Sequence, residues 1–334
     1  MIIKATAPGR CGLIGTPSDM YGGSVISCSI VERATCELDD SAVRTSIEVS
    51  GVRQILSTSN DLILKGDRLD VARAVLISLG VDPAKTPPFS LSAVTDIPMQ
   101  AGLAGSTAII ATITGVVASF LNLSLNRYQT AELVRKIESD VMQVICGFQD
   151  AYMTTFGGIN YMDFRGKNSA EVTIESTPYA TMESLQGYCG IPPIVLAHTG
   201  VHHHSGTVHK SLRERWLEGD TAARNGIEEI KQLAYFGKKA VLSADWSALA
   251  DLMNQNHAIV RDLGGSGEDN ENLIAAALDG GALGAKLAGA GGGGTILALT
   301  LTPEVTVKKL TSAGADAILY PAPSAGLSVN RLPT

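Results

Sequence analysis

Glycine is the residue that most constrains how this chain folds, because it makes up 35 of the 334 residues and is dense in three segments. These segments are residues 8–23, 98–107 and 280–294, and the last holds eight glycines in fifteen positions. A connecting turn needs only one or two glycines. Because glycine lacks a Cβ, it lets the backbone approach another loop or a ligand closely. The third segment therefore predicts such an approach, with a flexible hinge as the alternative.

The length of the chain and its 45% hydrophobic content favour two domains of ordinary size. A Pro- and Gly-rich stretch at 177–193 places the boundary, giving predicted domains of residues 1–185 and 186–334.

The net charge of −7 disfavours nucleic-acid binding, and no Lys/Arg cluster suits an anionic membrane. Five cysteines without a CxxC pair, and no signal-peptide pattern, favour a cytoplasmic protein with reduced thiols.

Several local assignments bear on where a site would form. Ile2–Ala7 predicts a short strand, followed by a loop that runs through the first glycine segment to Gly23. Asn126–Val144 has the apolar spacing of an amphipathic helix. The last ten residues, from Ala325, predict a tail.

The second glycine segment has the features of a phosphate-binding loop. Its core, GLAGST at residues 102–107, lies between a predicted strand and an apolar helix. Backbone N–H groups of such a loop and of the helix start can converge on an anion, and Ser106 and Thr107 add hydroxyls for phosphate or Mg²⁺. The loop is not a Walker A motif, which requires Gly-Lys-Ser/Thr. The alternative is a plain strand-to-helix turn with Ser106 as the N-cap.

Two acidic residues and one basic residue complete the set that phosphoryl transfer requires. The reaction needs a phosphate cradle, a metal held by oxygen ligands, and a group that orients or deprotonates the acceptor hydroxyl. Glu138 and Asp150 are the acidic candidates, and Arg10 is a candidate cation. The alternatives are a solvated helix position for Glu138 and a helix N-cap for Asp150.

Three motifs in order along the chain are similar to those of the GHMP kinases, the family of galactokinase, homoserine kinase, mevalonate kinase and phosphomevalonate kinase. They are PGRCGLIG at 8–15, PxxxGLxxS at 98–106 and KxxGxGGGG at 286–294. The resemblance implies a two-domain α+β fold, with an N-terminal domain like domain 2 of ribosomal protein S5 and a ferredoxin-like C-terminal domain. It further implies that ATP and a small substrate bind in the cleft between the domains.

The resemblance also implies roles for individual residues. Ser106 and Glu138 would bind Mg²⁺, Asp150 would orient or deprotonate the acceptor hydroxyl, and Arg10 would lie beside Asp150 and the transferred phosphoryl group. The residues implied to bind ATP are Pro98, Gly102, Leu103, Ala104, Gly105, Ser106, Thr107, Gly289, Gly291 and Gly292. Ser18, Asp19, Asp150 and Gly291 are assigned to the substrate, and Arg213 is added to them as a candidate from its own chemistry.

Within the family the chain resembles the glucuronokinases, notably in GTPSDMY at 15–21 and GFQD at 147–150. This likeness predicts transfer from ATP to the anomeric hydroxyl of a sugar, D-glucuronate, by a monomer or homodimer. Galactokinases carry Glu and His where this chain has Thr16 and Pro17, which argues against galactose. The second motif usually reads GLGSSA, so the substitutions at Ala104, Gly105 and Thr107 leave open how the loop's hydroxyls share the phosphates.

Three alternatives remain open from the sequence: another sugar or a heptose phosphate as acceptor, a non-catalytic regulator on the same fold, and a decarboxylase of the mevalonate diphosphate type. The run His202–His204 is interpreted as a substrate loop or a solvated surface segment rather than a metal site. Arg213, Arg215 and Arg261 are candidate partners for a carboxylate, because arginine binds carboxylates through two parallel hydrogen bonds. Ordinary surface charge is the alternative for each arginine.

Overall fold

The computed structural model describes residues 1–167, 178–200, 212–289 and 294–332. The strands of this part are β1 (Ile2–Ile14), β2 (Ser24–Asp39), β3 (Ser46–Val49), β4 (Val52–Ile55), β5 (Ser90–Thr95), β6 (Ile159–Asp163), β7 (Thr181–Ser184), β8 (Ile194–His198), β9 (Gly284–Leu287), β10 (Thr295–Leu299), β11 (Ala317–Leu319) and β12 (Ser328–Leu332). They form one sheet of eight strands and a second sheet of four. Two sheets with helices agree with the predicted two-domain α+β architecture.

The helices are α1 (Asp70–Ser78), α2 (Gly105–Phe120), α3 (Arg127–Lys136), α4 (Gln149–Phe156), α5 (Thr221–Leu242), α6 (Trp246–Asp262), α7 (Glu268–Asp279) and α8 (Pro303–Ser312). Residues 212–217 are also helical. Helix α2 is apolar almost all round and packs on β1 and β2 at the centre of the larger core. Among the described residues, none of the helices combines the length and the apolar character needed to cross a membrane.

The larger sheet has the order β12-β1-β2-β5-β3-β4, and β6 and β7 branch from the first half of β2. Strand β1 is longer than predicted and runs through the glycine segment to Ile14, with register shifts between Pro8 and Arg10 and between Gly12 and Ile14. The predicted loop from residue 8 was wrong over this stretch. Cys11, Leu13 and Ile14 are fully buried, so the strand is held by its apolar residues.

The smaller sheet is antiparallel in the order β11-β8-β10-β9. Numbered along the chain, that order is 4-1-3-2, with helices α5, α6 and α7 between the first and second strands and α8 between the third and fourth. This is the βαββαβ connectivity of ferredoxin-like domains. The predicted character of the C-terminal half is therefore confirmed.

The C-terminal residues are not a tail. Strand β12 pairs antiparallel with β1, from Ile2 opposite Leu332 to Thr6 opposite Ser328. Strand β12 thus returns to the larger sheet and forms one of its edges. The sequence pattern does not predict this strand. All five residues of β12 are exposed, so they lack the alternation of a half-buried strand. The boundary at 185/186 stays a prediction.

Candidate active site

The second glycine segment forms the turn between β5 and α2. Gly102 and Ala104 have φ angles of 71° and 63°, in the left-handed region that favours glycine. Ala104, not Ser106, is the residue that precedes the helix, and no side chain caps this end. The N-cap alternative for Ser106 was therefore wrong. An uncapped first turn leaves backbone N–H groups and the positive end of the helix dipole available to an anion.

Ser106 and Thr107 take different positions at the start of α2. Ser106 is exposed, whereas Thr107 is buried and donates its hydroxyl to Oε1 of Glu138 over 2.9 Å. Glu138 lies in a π-helical turn, Ile137–Val141, that follows α3 and interrupts the predicted helix. Such turns occur often at functional sites. Glu138 is buried, so the solvated alternative was wrong.

Burial, together with the nearby charge of Asp150, raises the pKa of Glu138 to about 8. A carboxylate kept in this environment is costly unless a cation compensates it. A buried carboxylate beside an exposed hydroxyl, Ser106, offers the hard oxygen ligands that Mg²⁺ prefers. The described residues contain no cluster of three or more His, Cys, Asp or Glu that could hold a metal by themselves. Mg²⁺ needs none, because it usually takes one or two carboxylates together with substrate phosphates and water.

Arg10 links all three glycine segments. Its Nε and Nη2 lie 2.8 and 2.6 Å from Oδ1 of Asp150, and its Nη1 donates to the carbonyls of Gly102 and Ala288. The arginine is buried, whereas the side chain of Asp150 retains 32% of its exposure. Arg10 therefore fixes one oxygen of the carboxylate, and the side chain of Asp150 stays partly open to solvent.

The glycines of the third segment are explained by contact with the second. A Cβ on Gly289 would lie 2.5 Å from the carbonyl oxygen of Gly102, and one on Gly294 would lie 2.9 Å from that of Ala101. Gly9 of the first segment is packed in the same way against the carbonyl of Leu103. The prediction of close backbone approach is confirmed at these glycines. Gly291 and Gly292 lie outside the described residues.

Asp19 caps the helix that carries Asp150. Its Oδ2 accepts hydrogen bonds from the backbone N–H groups of Phe148 and Gln149, at 2.9 and 3.0 Å. Asp150 itself lies inside the first turn of α4, so the N-cap alternative for Asp150 was wrong. Burial raises the pKa of Asp19 to about 6, against the lowering effect of the bond from Gln149. Ser18 is fully buried and donates its hydroxyl to the carbonyl of Ser24.

Two residues that carried no predicted role support the site from the C-terminal half. Asn256 of α6 is fully buried, accepts from the N–H of Gly15 at 2.8 Å and donates to the carbonyl of Thr16 at 3.1 Å. Its spacing with the buried Leu249, Met253 and Val260 would have shown it, because an amide on an apolar helix face requires a partner.

Lys286 of β9 is the second such residue. It donates from Nζ to the carbonyl of Gly12 at 3.1 Å. Burial lowers its pKa to about 7, against the raising effect of Cys11. The lysine therefore joins the second sheet to β1 rather than presenting its charge to the cleft.

The three candidate arginines differ in their contacts. Arg215 pairs with Asp220 at 2.7 Å and donates to the carbonyl of Leu263, whereas Arg261 pairs with its neighbour Asp262 at the surface. Arg213 lies in the helical segment 212–217 and is half-buried. His202–His204 lie outside the described residues.

Comparison with known proteins identifies two family models in the chain. GHMP kinases N terminal domain matches residues 64–158, and GHMP kinases C terminal matches residues 238–316. Together they cover more than half of the chain.

Similar proteins match along most of the chain. D-glycero-alpha-D-manno-heptose 7-phosphate kinase of Campylobacter jejuni is 26% identical and covers 87% of this chain and 87% of its own length. Glucuronokinase 1 of Arabidopsis thaliana is 29% identical, over 85% of this chain and 81% of its own. The structure of Lactococcus lactis galactokinase complexed with galactose has a TM-score of 0.76 at 18% identity, covering 98% of this chain and 95% of that one, which shows a shared fold.

The family matches, the two-domain fold and the three glycine segments that meet at Arg10 agree with one another. The chain therefore belongs to the GHMP kinases and is a sugar or small-molecule kinase, a phosphotransferase with a hydroxyl group as acceptor.

Proposed function

We propose that the protein transfers the γ-phosphoryl group of ATP to the anomeric hydroxyl of D-glucuronate, giving the sugar 1-phosphate and ADP. The observation that carries the proposal is the pairing of Arg10 with Asp150 beside the open start of α2. The likeness to Glucuronokinase 1 supports the choice of acceptor. We propose that the site lies between two domains divided at residues 185/186.

In this proposal the anomeric oxygen attacks the γ-phosphorus, the bond from that phosphorus to the bridging oxygen of ADP breaks, and Asp150 accepts the hydroxyl proton. Asp150 suits this role because one of its oxygens is held by Arg10 while the side chain stays partly exposed. Arg10 carries a positive charge next to the position of transfer. The reaction depends chiefly on positioning and charge stabilisation, which a rigid pair of this kind supplies.

The nucleotide is assigned to the loop from Pro98 to Thr107 and to Gly289, with the N–H groups of α2 directed at its phosphates. Ser106 and Glu138 would hold Mg²⁺, which neutralises charge on the phosphates when bound. Asp19 would accept from a sugar hydroxyl through the oxygen that does not cap α4. Ser18 would contact the substrate through its backbone, because its hydroxyl already donates to the carbonyl of Ser24.

The proposal is tested by measuring ADP release from ATP and Mg²⁺ over a panel of hexuronates, neutral hexoses and sugar phosphates. Turnover with D-glucuronate is expected, and ³¹P NMR of the product should show an anomeric phosphate. Turnover of neutral sugars with none of glucuronate would overturn the assignment of the acceptor.

A second candidate acceptor is a heptose 7-phosphate, favoured by the likeness to the Campylobacter jejuni kinase. The same panel separates the two, since a heptose phosphate would be turned over in place of glucuronate. A protein that releases no ADP with any acceptor, yet binds nucleotide, would instead indicate the non-catalytic regulator.

A further inference from the structure

Tyr21 is a buried tyrosine whose hydroxyl has no partner. It lies at the end of the 3-10 turn Ser18–Tyr21, two residues after Asp19, and only 3% of the residue is exposed. Its Oη makes no hydrogen bond in the described structure. A buried hydroxyl left unpaired costs about 1–3 kcal/mol, and buried tyrosines usually have a partner. A ligand atom at this position would satisfy the hydroxyl.

An arginine lies on the helical segment that contacts Tyr21. The ring of Tyr21 packs against that of Trp216 with centroids 5.3 Å apart. Trp216 lies in the helical segment 212–217, and Arg213 precedes it by three residues, a spacing that puts two side chains on one helix face. Arg213 and Trp216 therefore share the helix face that contacts Tyr21.

The charges around Tyr21 agree with this placement. Burial raises the pKa of its hydroxyl, the charge of Asp19 raises it further, and the charge of Arg213 lowers it. Asp19 and Arg213 therefore both act electrostatically on this hydroxyl. Unlike Arg215 and Arg261, whose charges are paired with Asp220 and Asp262, Arg213 makes no hydrogen bond or ion pair to the described residues.

We propose that Tyr21 Oη and Arg213 form the subsite that binds the anionic group of the acceptor, either the carboxylate of a hexuronate or the phosphate of a sugar phosphate. The inference rests on the proposed function and explains how the site would select an acceptor that carries an anionic group. An O–H donor and a guanidinium fork both match the oxygens of such a group. Asp19, on the same turn, is left to receive a neutral sugar hydroxyl, because its own charge would repel an anion.

The test uses the full chain with Tyr21→Phe and Arg213→Gln, with Tyr235→Phe and Arg261→Gln as matched controls at exposed positions. Steady-state kinetics and calorimetric binding with a non-hydrolysable ATP analogue are measured for D-glucuronate, a heptose 7-phosphate and a neutral hexose. Both variants are expected to raise KM and Kd for the anionic acceptor about 10- to 100-fold, with kcat and any neutral-sugar KM little changed. The controls should match the wild type.

Thermal unfolding of the free protein separates binding from folding. Tyr21→Phe removes an unpaired hydroxyl and keeps the ring that contacts Trp216, so its Tm should equal or exceed that of the wild type. A lowered Tm with unchanged acceptor KM would mean that the hydroxyl serves the fold, and would overturn the proposal.

The wild-type panel and the variants decide different questions. Which anionic acceptor the wild type turns over decides between carboxylate and phosphate, and therefore tests the proposed function. Equal losses on charged and neutral acceptors, no loss in either variant, or a wild type that binds only neutral acceptors would overturn the subsite.

Discussion

Thr107 donates its side-chain hydroxyl to Glu138 over 2.9 Å, while the adjacent Ser106 is exposed at the start of the same helix. The two hydroxyls should therefore respond differently to removal. Ser106→Ala should change the free energy of unfolding by less than about 0.5 kcal/mol but raise the Mg²⁺ concentration needed for half-maximal turnover. Thr107→Val should lower the free energy of unfolding by about 1–3 kcal/mol, since it leaves the buried carboxyl group of Glu138 without its hydroxyl partner.

Urea unfolding of the nucleotide-free protein and Mg²⁺ titration of turnover check both effects. If Ser106→Ala leaves the Mg²⁺ dependence unchanged, Ser106 is not a metal ligand. If Thr107→Val unfolds like the wild type, the bond to Glu138 contributes nothing to stability.

The carboxylate of Asp150 should carry the proton transfer. Asp150→Asn keeps the shape of the side chain and its oxygen for Arg10, but removes the basic site. Turnover should fall by about 10²- to 10⁴-fold, the usual contribution of general base catalysis, with nucleotide affinity retained. Steady-state kinetics and calorimetric titration of an ATP analogue measure the two quantities. Asp251→Asn, at an exposed position of α6, is the control. Equal turnover in Asp150→Asn and wild type would refute the role of Asp150.

Motif and chemistry together selected the candidate residues, whereas how the backbone holds them was harder to predict. Arg10, Glu138 and Asp150 were selected from what phosphoryl transfer requires. The structure pairs Arg10 with Asp150, and the charge of Asp150 acts on Glu138. Glycine was ambiguous, because a run such as that around Gly9 fits a loop as well as a strand packed against another backbone. The pairing of β1 with β2 decides for the strand, and Gly9 allows that strand to pack against the carbonyl of Leu103.

The other two differences between the predicted and the observed elements also arise from contacts between residues far apart in the sequence. The helix predicted through Val144 breaks at Lys136, where the π-helical turn directs Glu138 toward Thr107. Strand β12 depends on pairing with β1, more than 300 residues away along the chain. Neither feature has a local periodicity that a sequence pattern could report.

The pKa of Asp19 predicts a pH dependence of stability. Burial raises it from 3.8 to about 6, so the folded protein binds more protons than the unfolded chain in that interval. The free energy of unfolding should therefore fall as pH rises from about 4 to about 6, and this contribution is lost above it. Asp19→Asn keeps an oxygen for the N–H groups of Phe148 and Gln149 but does not ionise.

Urea unfolding of wild type and Asp19→Asn across this pH interval isolates the effect. The variant should gain stability relative to wild type as pH rises, and the difference should level off above about pH 6. The acceptor KM of the variant should also rise if Asp19 binds a sugar hydroxyl. A stability difference that does not depend on pH would contradict the raised pKa.

Asn256 should be the residue through which the C-terminal half positions the first motif. Asn256→Asp keeps the acceptor for the N–H of Gly15 but places a carboxylate oxygen against the carbonyl of Thr16. Because the site is fully buried, the free energy of unfolding should fall by at least about 1–3 kcal/mol. The same change on the exposed side of the helix, Gln255→Glu, should stay within about 0.5 kcal/mol.

The effect on function should follow the contacts of Thr16, whose hydroxyl donates to Gln149, the neighbour of Asp150 on α4. A displaced Thr16 therefore moves the acceptor side of the site, and the acceptor KM should rise more than the ATP KM in the folded Asn256→Asp protein. Kinetics at a temperature where both variants are folded provide the comparison. Equal changes in the two KM values would reduce Asn256 to a purely structural role, and unchanged stability would show that its bonds to Gly15 and Thr16 are dispensable.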